Sequence, residues 1–316
     1  MLRTRLLLYL RLLLGGCLFG LLLPWLQRPL AFTPGQLSWL LDLASHWQWL
    51  FLAGLLLAVA CASWLDRRWL LALLAAPLPW LSAAPPLPSG KEGVPLAIAS
   101  ANVHLDNHDV GALRAWLARE RPQLVVLQEV SPEYAQALRG LTDYPHQIVR
   151  AQHSPFGIAL LSRLPIRQSE VLVDDLGVAR IEAELDIAGC AIGVTAIHPM
   201  PPLTPHYRQQ RDSQLQALVR RGQARNLPAL LAGDLNSSPW SAAFAGFAAL
   251  GWSRASGLQP TWGGPLGIPI DQVLASPQWR LDSQTRGPDL GSDHRPVLVR
   301  LRLQARGCPA GTGGAG

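Results

Sequence analysis

At 316 residues the chain has room for one large domain plus an appendage, and its 49 % hydrophobic and 15 % charged contents are respectively high and low for a soluble protein. The net charge of +6 excludes a broad basic surface for nucleic acid: residues 1–90 hold six Arg and two Asp, +4, and residues 91–316 hold 21 basic and 19 acidic residues, +2. The cysteines lack metal-type spacing; Cys17 and Cys61 sit in apolar stretches, and Cys190 and Cys308 can pair in an oxidising compartment.

The apolar excess lies at the amino terminus. Residues 6–25 are apolar and more than half Leu, with Arg11 close enough to the start to snorkel toward headgroups. Residues 47–65 are uncharged and run between Trp residues, as interfacial belts do, and residues 69–84 are shorter and broken by Pro77 and Pro79. This pattern predicts a membrane anchor over residues 1–84 with two to three transmembrane helices; a cleaved signal peptide is the alternative for the first segment. Arg3, Arg5 and Arg11 hold the amino terminus in the cytoplasm, Arg67 and Arg68 mark a second cytoplasmic turn, and the loop 27–46 lies outside. If the third segment crosses, all that follows is outside the cytoplasm; if it only dips in, the rest is cytoplasmic. The favoured arrangement is a multi-pass inner-membrane protein with a periplasmic domain. Residues 85–93, rich in Pro and Gly, form a linker, residues 94–303 the domain and residues 304–316 a tail of disordered composition.

Within the domain, apolar runs predict strands over 94–103, 124–130, 156–163, 178–186, 190–197, 228–232, 270–274 and 297–303. Helical spacing predicts helices over 109–121, 132–139, 204–225 and 240–250. In the longest of these, Tyr207, Leu215, Leu218 and Val219 share one face, and Arg208, Arg211, Arg220 and Arg221 read as a solvated face. Asp234 and Asn236, one residue apart past an apolar run, project to the same side if the chain stays extended.

Similar polar residues recur at the ends of other apolar runs: Asn102, Glu129, His198, Asp271, Asp293 and His294. Carboxylates with amide oxygens and no thiolates suit a hard divalent ion, Mg²⁺ or Mn²⁺, better than zinc. Histidines positioned by carboxylates do proton work near neutral pH. Metal-assisted phosphodiester hydrolysis accounts for the mixture; composition alone leaves zinc or purely structural pairings open. His104 and His108 span a strand-to-helix turn and read as solvated loop histidines, and Trp240, Trp252 and Trp262 as core or rim packing.

The motifs S-A-N-V around Asn102, L-Q-E-V around Glu129, I-H-P at His198, G-D-L-N at Asp234 and Asn236, I-D-Q-V-L at Asp271 and G-S-D-H-R-P-V at Asp293 and His294 stand in this order. Over about residues 94–303 the order resembles the endonuclease/exonuclease/phosphatase family, which includes deoxyribonucleases, inositol polyphosphate 5-phosphatases and neutral sphingomyelinases. The resemblance implies an α/β four-layer sandwich, two packed mixed β-sheets flanked by helices, and a Mg²⁺-dependent phosphodiesterase, with Mn²⁺ as a substitute. It implies Glu129 as principal metal ligand with Asn102 and Asp293 nearby, and Asp234 to orient the attacking water or protonate the leaving group. Asn236, Asn102 and His198 would hold the phosphoryl group, and His294 would be the catalytic histidine, its ring fixed by Asp271. Ser162-Arg163 matches a structural turn. Gln123 and Gln272 depart from the family pattern, the second implying altered contacts at the pocket wall, and no match to the catalytic tyrosine of abasic-site endonucleases is present. The expected partners are the bilayer and a phosphodiester substrate, nucleic acid or phospholipid, with no obligate protein partner. The alternative is an inactive binding or scaffold domain of the same fold; such domains usually lose a carboxylate or histidine, and none is lost here.

Overall fold

The computed structural model describes residues 2–31 and 33–304. The predicted tail beyond Gln304, and Cys308 with it, lie outside the described residues.

The predicted anchor begins with α1 (Leu2–Leu26), which is followed by α2 (Gln36–Ser45), α3 (Gln48–Ala62), a 3₁₀ run (Arg67–Ala75) and the short α4 (Leu78–Ser82). At 1.5 Å per residue α1 is roughly 37 Å long, enough to cross a bilayer. It is the one described helix both long and apolar enough to do so alone. α1 and α3 pack against each other through Leu14, Cys17, Leu18, Leu21, Phe51 and Leu55. They approach closely at Gly20, where a Cβ would sit 2.4 Å from the Phe51 ring. Small residues set such approaches between apolar helices. The third predicted segment is no continuous helix. Pro77 and Pro79 stop regular α-helix, and Ala75 and Leu78 fold back against the α1–α3 pair.

The helix α2 was not expected in the loop 27–46, and it is turned inside out. Its buried residues are Ser38, Asp42 and Ser45, one stripe at helical spacing, and Leu37 and Leu40 are 62 % and 53 % exposed. In a soluble protein the apolar stripe faces the core.

The domain elements are β1 (Val94–Asn102), α5 (Gly111–Glu120), β2 (Leu124–Gln128), α6 (Pro132–Leu138), β3 (His146–Arg150), β4 (Ile158–Ser162), β5 (Ile166–Val173), β6 (Ala179–Ile187) and β7 (Cys190–Ile197). There follow α7 (Pro205–Ala224), β8 (Ala229–Asp234), α8 (Ala242–Ala249), β9 (Ser253–Arg254), β10 (Asp271–Ala275), β11 (Trp279–Arg286) and β12 (Val297–Leu303). They build two six-stranded mixed sheets, ordered β11-β12-β1-β2-β4-β3 and β5-β6-β7-β8-β10-β9. Each has one parallel pair, β1 with β2 and β7 with β8. Between the sheets lies an apolar layer that includes Ile98, Val126, Leu160, Ile181, Val194, Leu230, Val273 and Val299. The outer faces are covered by α5 and α6 on one side and α7 and α8 on the other. The expected four-layer sandwich is thus what forms. Ser162 turns the chain as expected, its hydroxyl bridging to Leu164.

One expectation about α7 needs correction. Arg208 and Arg211 are buried, not solvated, because α2 lies over them. Arg208 donates to the carbonyls of Ala31 and Thr33, both at 2.9 Å. Arg211 Nη2 meets Asp42 Oδ2 at 2.7 Å, its Nε meets Asp212 Oδ1 at 2.8 Å, and its Nη1 donates to the carbonyl of Asn236 at 2.6 Å. The second Asp42 oxygen accepts the Ala242 N–H at 3.1 Å, so a residue of the amino-terminal helices caps α8. Residues 85–93 are laced to the domain, Leu87 N–H donating to Arg254 and Gly90 N–H to Leu281.

Removing one member of a buried, hydrogen-bonded ion group strands the other charges, at a cost of about 3–5 kcal/mol. Arg211→Ala in the full-length protein is therefore expected to lower stability by roughly that amount, read as a large fall in thermal midpoint in detergent, with Arg220→Ala on the exposed face as the unaffected control.

Candidate active site

The site forms where the ends of the two sheets meet. β8 and β10 run antiparallel with Asp234 directly opposite Asp271. Like charges at paired positions repel, and both side chains are buried. His294, delivered from just before β12 in the other sheet, relieves this. Its Nδ1 lies 2.8 Å from Asp271 Oδ2 and its Nε2 lies 3.6 Å from Asp234 Oδ2. Burial works against an imidazolium here, but the charges of Asp271 and Asp234 outweigh it and raise the pKa of His294 to about 10.

The network continues outward from Asp234. His198, one residue past β7, directs Nδ1 to the carbonyl of Pro155 at 3.1 Å, which leaves Nε2 facing Asp234 Oδ2 at 3.5 Å. The Asn102 amide, at the end of β1, bridges Glu129 Oε1 at 2.8 Å and Asp234 Oδ2 at 3.2 Å. Glu129 is not the last residue of β2, as the apolar run suggested. The strand stops at Gln128, and Glu129 turns out of the ladder in a left-handed conformation, φ 61°. Such a backbone costs about 1–2 kcal/mol for a residue with a Cβ. It is held by Asn102 and by the Leu105 N–H, which donates to Oε2 at 3.0 Å.

Asn236 also departs from the extended geometry expected of it. β8 ends at Asp234, and Asn236 has φ 47°. Its N–H donates to Asp234 Oδ1 at 2.9 Å, and its side-chain amide reaches the carbonyl of Pro199 at 3.0 Å. The two residues converge through a turn rather than through strand alternation. Gly233 has a separate duty: a Cβ there would lie 1.8 Å from the Ile197 carbonyl oxygen, so only glycine lets β8 approach the segment that carries His198.

Glu129, His198, Asp234, Asn236, Asp293 and His294 all line one cleft of about 700 Å³. Asn102 and Asp271 sit behind it, buried, in contact with those residues. All eight expected residues are therefore brought together. His104 and His108 are not in the cleft, and Trp240 and Trp252 are core residues. Gln272 is no wall residue: it is buried and bonded to Ser256 and the Pro269 carbonyl.

Other cleft residues escaped sequence reasoning. Trp262, expected as packing, donates from Nε1 to Asp293 Oδ2 at 2.9 Å and stands edge-on to Trp47 at 6.5 Å. Trp39, Leu43, His46 and Trp47 come from the amino-terminal segment. His46 Nδ1 lies 2.7 Å from Ser238 Oγ and accepts the Ser238 N–H at 3.2 Å, and Trp39 donates to the Pro202 carbonyl at 2.7 Å. Only the polar stripe of Ser38, Asp42 and Ser45, odd within an apolar segment, signals such contacts in the sequence.

The profile of the Endonuclease/Exonuclease/phosphatase family matches residues 99–294, more than half of the chain and inclusive of all eight residues. The chain belongs to this family. Its members are phosphoester hydrolases, generally dependent on a divalent metal. Among solved structures, an endonuclease/exonuclease/phosphatase from Beutenbergia cavernae DSM 12333 has a TM-score of 0.55 and 20 % identity, covering 67 % of this chain and 72 % of that one. A Bacteroides vulgatus member has a TM-score of 0.56 and 20 % identity over 66 % of this chain and 99 % of its own. The D. rerio TDP2 complexed with single strand DNA product has a TM-score of 0.53 and 18 % identity, covering 66 % and 99 %. At these identities the likeness is one of fold. No curated protein sequence matches the chain.

The donor set fits a hard cation. Four carboxylates and an amide converge, and no Lys or Arg lines the cleft among the described residues. Ligand atoms of Asp234, Asp271 and His294 lie within 4.8 Å of one another. With Nδ1 of His294 committed to Asp271, that trio is better suited to hold and orient a proton, and Glu129 with Asp293 to hold an ion.

Gly233→Ala is expected to cost roughly 1–3 kcal/mol of stability, the range for forcing a methyl group into filled space. Denaturation of the full-length protein measures it, and a neutral result would mean that β8 and the Ile197 backbone separate freely.

Proposed function

We propose that this protein is a membrane-anchored, Mg²⁺-dependent phosphodiesterase, with Mn²⁺ as an alternative ion. The observation that carries the reading is the unbroken chain of contacts from Glu129 through Asn102 and Asp234 to His294 and Asp271, opening on a single cleft. A family scaffold that had lost turnover would have no use for two buried acids in register beside a strained Glu129.

Glu129 and Asp293, with Asn102 beside them, would hold the ion, which when bound neutralises phosphoryl charge and lowers the pKa of water. His198 and the Asn236 amide hold a phosphoryl oxygen at the cleft floor. Asp234 aligns the attacking water, its position fixed by Asn102, His198 and the Asn236 N–H. His294, kept protonated and oriented by Asp271, stabilises the charge that develops on the phosphate and supplies a proton to the departing oxygen.

The anchor reading is supported by α1, long and apolar enough to cross a bilayer, and by contacts that join the amino-terminal helices to the domain. Gln27, Asp42, His46 and Trp49, at the carboxyl-terminal end of α1, in α2 and at the start of α3, all bond to the domain. Pro79 in α4 does so too, its carbonyl accepting from Trp240 at 2.7 Å. If Arg3, Arg5 and Arg11 keep the other end of α1 in the cytoplasm, the domain stands on the periplasmic side, with α3 and the 3₁₀ run as a returning pair.

Full-length protein in nanodiscs should hydrolyse bis(4-nitrophenyl) phosphate with Mg²⁺ and stop on addition of a chelator. Asp234→Ala should lower kcat by about 10²–10⁴-fold, the range for a group that positions or transfers a proton. Hydrolysis that survives chelation or the substitution would overturn the reading.

A further inference from the structure

The cleft is not lined like a nucleic-acid groove. Proteins that hold single strands combine cationic side chains with aromatic platforms. This cleft has the aromatics, Trp39, Trp47, Phe156 and Trp262, but no Lys or Arg among the described residues. Away from the acids and histidines on its floor, the walls are Leu43, Met200, Pro201, Pro202, Leu203 and Ile268. A cleft of about 700 Å³ is far larger than a phosphate and its ion need.

One wall belongs to the anchor. α2 contributes Trp39 and Leu43, and the turn after it contributes His46 and Trp47. The same helix shows Leu37 and Leu40 to the outside, and the facing loop shows Leu203, 70 % exposed. The buried polar stripe and outward apolar stripe suit α2 to a boundary between the domain and hydrocarbon, with the cleft opening beside it. Trp39 ties the two walls together through the Pro202 carbonyl.

Building on the phosphodiesterase reading above, we propose that the cleft accepts a phosphoester joined to an apolar chain, a lipid-linked phosphate. Its head lies on the acids and histidines, and its chain runs between α2 and residues 200–203 toward the bilayer. Leu43 and Leu203 are specificity-determining residues. Attack by water at phosphorus breaks one P–O bond; the phosphoryl group takes the hydroxyl, and the proton goes to the departing oxygen, so no co-reactant is needed.

The test uses the full-length protein in nanodiscs. Hydrolysis of 4-nitrophenyl ethyl phosphate is compared with that of the butyl, hexyl and octyl esters, and binding of ethyl and octyl phosphate is followed by tryptophan fluorescence without metal. The expected result is kcat/KM at least about tenfold higher for octyl than for ethyl, a methylene in an apolar site contributing up to tenfold or more. Octyl phosphate should also bind more tightly. Leu43→Ser, and independently the exposed-loop variant Leu203→Ser, should cut the octyl-to-ethyl ratio about threefold or more, acting through KM. Partition into the disc raises the ratio equally for every variant, so a ratio that neither substitution moves would overturn the proposal. So would a flat chain-length response, or faster cleavage of a single-stranded oligonucleotide with steep inhibition by salt. Preferential, Leu43-dependent binding of octyl phosphate without any hydrolysis would uphold the cleft assignment and overturn only the phosphodiesterase reading.

Discussion

Two aspartates placed opposite each other in a buried antiparallel pair are a standing electrostatic cost, and the rest of this fold is arranged around meeting it. Asp234 and Asp271 are brought into register by β8 and β10, and neither strand can shift by one residue without turning its apolar set out of the core. His294 meets the cost from the other sheet, which makes the packing of one sheet on the other a condition for a neutralised site. Around that centre each further group is fixed by a neighbour. Asn102 spans the gap between the sheets, and Glu129 leaves its strand in a strained conformation to be reached by it.

Much of this was legible in the sequence because buried central strands are short apolar runs. The segments carrying Asn102, Glu129, His198, Asp234 and Asp271 each announce themselves by an uncharged run with one polar residue at its end. The edge strands β3, β5 and β11 do not. β5 is read as I-R-Q-S-E-V-L-V with most of its side chains exposed, and its pairing partners, not its own pattern, make it a strand. The turn geometry at Glu129 and Asn236 was equally hidden, since left-handed backbone at a residue other than glycine is imposed by its contacts. The arginines of α7 were misread for a related reason. Spacing shows that Arg208 and Arg211 share a face, but what covers that face lies more than 160 residues earlier in the chain.

The inversion of α2 unites the amino-terminal helices and the domain. A helix that hides serines and an aspartate and displays leucines turns its polar stripe to the domain and leaves its apolar stripe uncovered. Trp39 and Trp47 then belong to the amino-terminal segment and to the cleft walls at once.

The capping of α8 by Asp42 orders events in time. Synthesis delivers α1 to α3 well before β8 and α8 exist, so the carboxylate that completes α8, and that holds Arg211 against the Asn236 carbonyl, is in place before the chain that needs it. The domain thus completes its fold on the amino-terminal helices. A protease cutting within residues 85–93 would not release an intact domain, because the severed halves would still be joined by Asp42, His46 and Trp49, and prying them apart would strip α8 of its cap and the cleft of a wall.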